Sequence, residues 1–576
     1  MSTVQTAPFR WLVVPDDRIA SPSRELVGGK AWSLWRMRSL GLRVPPAFVV
    51  TTEACSAYFD GSGGLPDGLA DELRSGVSVL EAELGRTLGG AARPLLVSVR
   101  SGAAVSMPGM MDTILNLGMN ADVERALADE TGSPEFAADV HRRFCVFYGR
   151  LVLGCLDELD DIDSTEAVRA AVHADAGADV PADPWQQLDA AVAAVFASSR
   201  SRRAIAYREH HGIQQDLGTA VTVQAMVFGN LDDASGTGVV FSRNPVTGRR
   251  EPYGEYLPHG QGEDVVSGRI TPQPLACLGK RAPEVHVELL AAAEKLDADG
   301  RDAQDIEFTV QQGVLYLLQS RPAKRTARAA ARIAVELERE GVISADEALG
   351  RVTADQVRAL LRPTIADVVG ARVLAEGVAA SPGVATGLAV ATPEEAAQMP
   401  GAILVRHTTS PEDVHGMIAA AAVVTEHGGS TSHAAVVTRA LDTPCVVGCG
   451  DGAMSRMVGR VVTVDAIGGK VYDGALATNA VTEDDDPDLR TLTAWARARA
   501  SVTVLAHAPG PLFDADLLPG LELGEREPSI PPGTEAVAGA YFGTDAGVVA
   551  AVAAGVHTIV TPHALPVLLA ALAAAT

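Results

Sequence analysis

The side chain best placed for covalent chemistry is His433, within the run TEHGGSTSHAAVVTRALDTPCVVG from Thr425 to Gly448. Val423, Val424 and Thr425 read as the end of a buried strand, Gly428 and Gly429 as a sharp turn, and Ala434 to Leu441 as a helix. With Thr431 or Ser432 as N-cap, His433 falls in the first helical turn, where unpaired amides and the positive dipole end favour a negative group on the imidazole. The spacing reads as a phosphohistidine site, against the plainer alternative of a histidine beside a cap. His427 precedes the double glycine and reads as a structural neighbour.

Phosphorylating an imidazole calls for cations and metal-binding oxygens, and several upstream stretches supply them. DAQDIEFTVQQGVLYLLQSRPAKRT places Asp305 and Glu307 on one face of a strand and, after a hairpin at Gly313, Gln319 and Arg321 on one face of the next. Such a hairpin suits Mg²⁺ held between protein oxygens and nucleotide phosphates, although an ordinary charged hairpin alternates in the same way. Lys30 follows a double glycine at a helix start, where an ammonium can meet a phosphate. Arg100 lies on a strand followed by a Gly-, Met- and Pro-rich loop, readable as a surface turn or as a lid. SGTGVVF allows close backbone approach, and Glu255, Glu263 and Asp264 offer oxygens for a cation or a ribose.

The elements that must position these groups change type along the chain. Residues 1 to about 120 mix short strands and helices; 121 to 215 are mainly helical, with Arg142, Arg143, Arg202 and Arg203 reading as solvated faces. Strands return at Thr219, an Ala-rich charged helical connector follows Arg321, and a compact domain starts near Val373. A chain of 576 residues suggests three or four domains. The net charge of -25 excludes nucleic acid and anionic membrane as main partners, but not ATP met by local cations. Six sparse cysteines give neither a zinc pattern nor a disulfide framework, and Cys445 and Cys449 read as small buried hydrophobes. No signal peptide is evident and the apolar tail Leu565 to Ala575 is too short to span a bilayer, so a cytoplasmic enzyme is expected.

The words GGSTSHAAVVTRALDTPCVVGCG, GGK, TTEAC, SVRSGAAVSMPGMMDTILNLG and the strand-rich stretch from Thr219 to Arg321 resemble the pyruvate phosphate dikinase family in order and spacing. Ser430 stands where that family usually carries Met. The resemblance implies an α/β and α+β multidomain chain: an ATP-grasp nucleotide-binding domain (1-325), a helical linker (326-370), a swivelling α/β phosphohistidine domain (371-478) and a short α/β C-terminal remnant (479-576). It assigns Lys30, Arg100 and Arg321 to the transferred phosphates, and Gly109 to a loop closing over them. Thr237 and Gly238 become phosphate contacts, Asp264 and Asp305 part of the nucleotide pocket, and Glu307 and Gln319 the Mg²⁺ ligands. His433 would take a pyrophosphoryl group from ATP, inorganic phosphate would remove its outer phosphoryl, and AMP and pyrophosphate would leave. The remaining phosphoryl would pass to pyruvate, giving phosphoenolpyruvate.

The resemblance covers residues 1 to about 478. The family continues as a TIM barrel of roughly 250 residues, whereas residues 479-576 offer two or three βα units and no candidate for the barrel's metal site or Cys. A barrel supplied by another chain, or another phosphoryl acceptor, is therefore expected. The alternative is a non-catalytic ATP-binding regulator, which would have no need of His433. The resemblance also allows a homodimer and regulatory phosphorylation of Thr431, whose plainer role is the N-cap.

Overall fold

The computed structural model describes residues 9–15, 22–61, 64–103, 113–155, 159–210, 218–266, 270–361, 364–399, 401–441, 443–479, 481–507, 512–515 and 529–575. Two five-stranded antiparallel sheets occupy the first half. In the first, spatial order is Leu12–Val13, Ala47–Val50, Ala220–Ala225, Val97–Gly102 and Thr113–Leu117. Its central strand Ala220–Ala225 is buried throughout, which explains the unbroken apolar and Thr/Gln run there. Arg100 projects from Val97–Gly102, next to that strand.

The second sheet runs Gln273–Pro274, Tyr253–Pro258, Gly236–Phe241, Gln304–Gln311, Val314–Pro322. Gln312 and Gly313 both adopt left-handed backbone, φ 51 and 75, the two-residue turn whose twist matches a hairpin. One face buries Val240, Ile306 and Phe308 against helix Pro283–Gly300. The period-2 pleat then forces Asp305, Glu307 and Thr309 onto the opposite face.

The third unit is an eight-stranded mixed sheet with its own core. Its strands Val384–Val390, Ile403–Arg406, Ala422–Thr425 and Cys445–Val447 lie parallel and adjacent. The chain enters and leaves this unit through one ribbon, in which Thr364–Ile365 pairs antiparallel with Thr478–Asn479. Both Cys445 and Cys449 are buried, and burial pushes each thiol up to about 12.

Four short parallel strands, in the order Thr503–Leu505, Thr558–Val560, Ala536–Ala538 and Phe513–Asp514, make the last sheet. Helices Ala327–Arg339 and Ala354–Leu360 of the connector share one buried cluster with it, including Ile333, Val357, Leu492, Ile559 and Leu568. The connector is thus a wall of the C-terminal unit. No helix among the described residues is long and apolar enough to cross a membrane.

Candidate active site

Glycine chemistry brings the first two cations together. In helix Arg24–Ser39, capped by Ser23, Gly28 breaks the helical backbone at φ 74, ψ 163. A Cβ there would lie 1.8 Å from the Gly102 carbonyl oxygen, so only glycine permits this approach. Gly29 N–H donates to Ala103 O at 3.0 Å. The double glycine therefore presses Lys30 against the end of the strand that carries Arg100.

The hairpin supplies the rest. Asp305 stands opposite Arg321 and Glu307 opposite Gln319 in register. Arg321 Nε donates to Asp305 Oδ2 at 2.9 Å, and the other Asp305 oxygen is buried without a hydrogen-bond partner. Arg100 donates to Glu307 Oε2 at 3.1 Å and to Gln319 Oε1 at 3.4 Å. Burial pushes the Glu307 carboxyl up, but Arg100, Arg321 and Lys30 together outweigh it and hold it below the ordinary carboxylate value. Lys30, Arg100, Glu307, Gln319 and Arg321 thus form one cluster. Two hard oxygens meeting on one cationic nitrogen are also a donor set that fits a hard divalent cation.

His433 is the first residue of helix His433–Leu441. Ser432 is the cap: its Oγ accepts from Ala435 N–H at 3.5 Å and its carbonyl from Val436 N–H at 3.0 Å. Thr431 is not the cap, because its hydroxyl donates to Glu255. The same carboxylate accepts from Ser430 N–H at 2.9 Å and Ser430 Oγ–H at 2.8 Å. Gly429 keeps this approach close, since a Cβ would sit 2.5 Å from Glu255 Oε1 and push the carboxylate aside. Glu255 lies on strand Tyr253–Pro258 of the second sheet, so the loop before His433 is docked on the sheet that carries Glu307 and Gln319. A second contact packs Val414 against Ala103.

Burial depresses the His433 imidazole below its ordinary value, opposed by Asp413 and by a hydrogen bond with the Ser410 backbone. Nε2 is buried with no hydrogen-bond partner. A neutral ring with one nitrogen held and the other unengaged is a competent nucleophile.

Other expected residues fall elsewhere. Gly109 lies outside the described residues. The Thr237 hydroxyl donates to Phe308 O at 2.9 Å, and Gly238 makes room for Phe308 and the Glu255 backbone, so both pack the sheet rather than face open space. Asp264 accepts from Arg143 at 2.7 Å and from Gln261 N–H at 2.9 Å, and lines a pocket with Arg142, Arg143 and Arg150. Arg143 is consequently no solvated face: it bridges Asp264 and Asp139. Glu255, expected to serve a cation or ribose, is occupied by the loop. Its docking role had no local signal, since it pairs residues 175 and 176 positions apart.

Known proteins similar to this chain carry a single family description. The profile "Pyruvate phosphate dikinase, AMP/ATP-binding domain" matches residues 24–81 and 62–293, and "PEP-utilising enzyme, mobile domain" matches 398–469. The pyruvate, phosphate dikinase of Rhizobium meliloti is 40% identical over 543 residues, 85% of this chain and 60% of that protein. That of Clostridium symbiosum is 40% identical over 557 residues, 89% of this chain and 63% of the relative. The chloroplastic pyruvate, phosphate dikinase 1 of Arabidopsis thaliana is 41% identical over 531 residues, 85% of this chain and 55% of the relative. The chain therefore spans about 60% of the length of the relatives it matches.

Proposed function

The chain is pyruvate, phosphate dikinase-like, and from that kinship we propose that it phosphorylates His433 from ATP and inorganic phosphate, releasing AMP and pyrophosphate. The observation that carries this reading is the docked loop. Glu255 clamps Ser430 and Thr431 onto the nucleotide-binding half while His433 Nε2 is left unengaged. The two antiparallel sheets act as the ATP-grasp clamp, with Lys30, Arg100 and Arg321 neutralising the phosphates. Neutral Nε2 attacks the β-phosphorus, the bond to the α–β bridging oxygen breaks, and AMP leaves. Inorganic phosphate then attacks the outer phosphorus, which releases pyrophosphate and leaves one phosphoryl on His433. Glu307 and Gln319 would hold Mg²⁺, which when bound offsets phosphate charge.

The remaining phosphoryl would then pass to pyruvate on a barrel supplied by another chain, or to another acceptor. The test is to supply ATP labelled at the β- or γ-phosphate. β-label is expected to stay on the protein after phosphate is added, and γ-label to leave as pyrophosphate. No acid-labile label under any condition would sink the reading.

Two further results are expected. The Glu255→Gln variant loses charge from a contact that accepts three hydrogen bonds. A charge-assisted contact is worth about 1.5–3 kcal/mol, so His433 labelling should slow roughly 10- to 100-fold while ATP affinity holds. A parallel loss of ATP affinity would return Glu255 to the nucleotide pocket. By the same geometry, a phosphate on Thr431 would confront the Glu255 carboxylate and repel the loop.

The second result is the pH profile. The nucleophile is the neutral imidazole, and its value is depressed below 6.5. Labelling rate should be greatest at alkaline pH, where the ring is neutral, and fall as pH drops, with its midpoint below 6.5. A rapid-quench profile with its midpoint at or above 6.5 would contradict the buried, neutral ring.

A further inference from the structure

Three adjacent parallel strands of the unit that holds His433 carry, at their carboxyl ends, side chains of metal-ligating type that phosphoryl transfer does not use. His407 follows strand Ile403–Arg406, Glu426 and His427 follow Ala422–Thr425, and Asp451 lies in the loop after Cys445–Val447. The carboxyl ends of parallel strands are where open α/β sheets bind ligands. One donor atom each from Glu426, His427 and Asp451 falls within 4.8 Å of the others.

We propose that Glu426, His427 and Asp451 form a three-ligand site for a divalent transition-metal ion at the root of the His433 loop, with His407 orienting the Glu426 carboxylate. The backbone fixes these segments in register before any ion arrives. His427 N–H donates to His407 O, Cys449 N–H to Thr425 O and Gly450 N–H to Glu426 O, each at 2.9 Å. Glu426 is only 2% exposed, and its oxygens are already aimed: Met454 N–H donates to Oε1 at 2.8 Å and His407 Nδ1 pairs with Oε2. Each carboxylate oxygen keeps a second lone pair for an ion. His427 Nε2 and Asp451 Oδ1 stand 3.0 Å apart.

An ordinary pair of surface salt bridges would explain His427–Asp451 and His407–Glu426 separately. It does not explain why a nearly fully buried carboxylate is brought beside both imidazoles and a second carboxylate from three strand ends. The chemistry selects the ion class. One imidazole with two carboxylates suits Zn²⁺, Co²⁺ or Mn²⁺, whereas Mg²⁺ and Ca²⁺ prefer oxygen alone. Side chains of His427 and Asp451 are 42% and 89% exposed, so small rotations can close the set to bond lengths of about 2.0–2.2 Å. Three protein ligands leave positions open to water. An ion here would pin the residues that lead directly into Gly428, Gly429 and the docking pair Ser430 and Thr431.

Equilibrium dialysis of the full chain against Zn²⁺, with metal counted by mass spectrometry, tests this, together with the visible spectrum of the Co²⁺ complex. One bound ion per chain is expected, undisplaced by excess Mg²⁺, with Co²⁺ d–d bands and no thiolate charge-transfer band. His427→Gln and Asp451→Asn should each weaken binding at least about tenfold, and His407→Ala by about tenfold, the size of an outer-partner effect. Both ligand positions are exposed enough for these variants to fold. Equal binding in wild type and both ligand variants, a thiolate band assigning the ion to cysteine, or no Zn²⁺ bound by wild type would each overturn the site. None of these readouts depends on phosphorylation of His433.

Discussion

Replacing His433 with alanine is expected to abolish acid-labile label from β-labelled ATP, to below about one part in 10⁴ of the wild-type rate. Removing a covalent nucleophile leaves only what binding and electrostatics provide, and such losses reach about 10⁶-fold where the nucleophile acts in a concerted unit. The substitution should leave the fold intact. His433 opens its helix while the cap is Ser432, and the docking bonds belong to Ser430 and Thr431. ATP affinity should therefore be unchanged, and the same preparation should show both results. Retained β-label in His433→Ala would place the carrier elsewhere.

The second large effect is Arg321→Ala, where two losses add. An arginine that neutralises a phosphoryl group in flight is worth about 10³-fold or more in rate. Its removal also strands Asp305, a 4% exposed carboxylate whose cation is Arg321 at 2.9 Å. Breaking a buried pair from one side costs about 3–5 kcal/mol, so the melting temperature should fall together with the rate. Arg321→Lys separates the two. It keeps the charge beside Asp305 and should restore most of the stability, but a point charge lacks the planar fork that grips phosphate oxygens. Full labelling activity in Arg321→Lys would show that charge near Asp305 is all the site needs from this position.

Local patterns made much of this legible. The strand alternation of DIEF and LLQSR, split by Gln312 and Gly313, encodes the register that sets Asp305 against Arg321 and Glu307 against Gln319. The GGK word encodes a close approach, although not the strand it approaches, which lies some seventy residues on at Gly102. What escaped were pairings that no period reports. Glu255 reads as one more acid on a strand until the Ser430 and Thr431 loop is folded onto it. Arg143 reads as a solvated helix residue, yet Asp264, from a distant strand-rich stretch, draws it inward. Thr431 and Ser432 are equally good caps by type, and Glu255 decides between them by engaging the first.

The ribbon of Thr364–Ile365 on Thr478–Asn479 has a further consequence, concerning how such a protein is assembled from parts. Chain entry and exit lie one strand spacing apart, and everything between them has its own core. This unit is topologically an insertion held at a single stalk. Neighbouring antiparallel strands can be closed by a two-residue turn, so the remainder of the chain would be continuous without it. Exchanging one such unit for another asks only that two short strands match at the graft, which makes the unit that holds His433 a portable cassette.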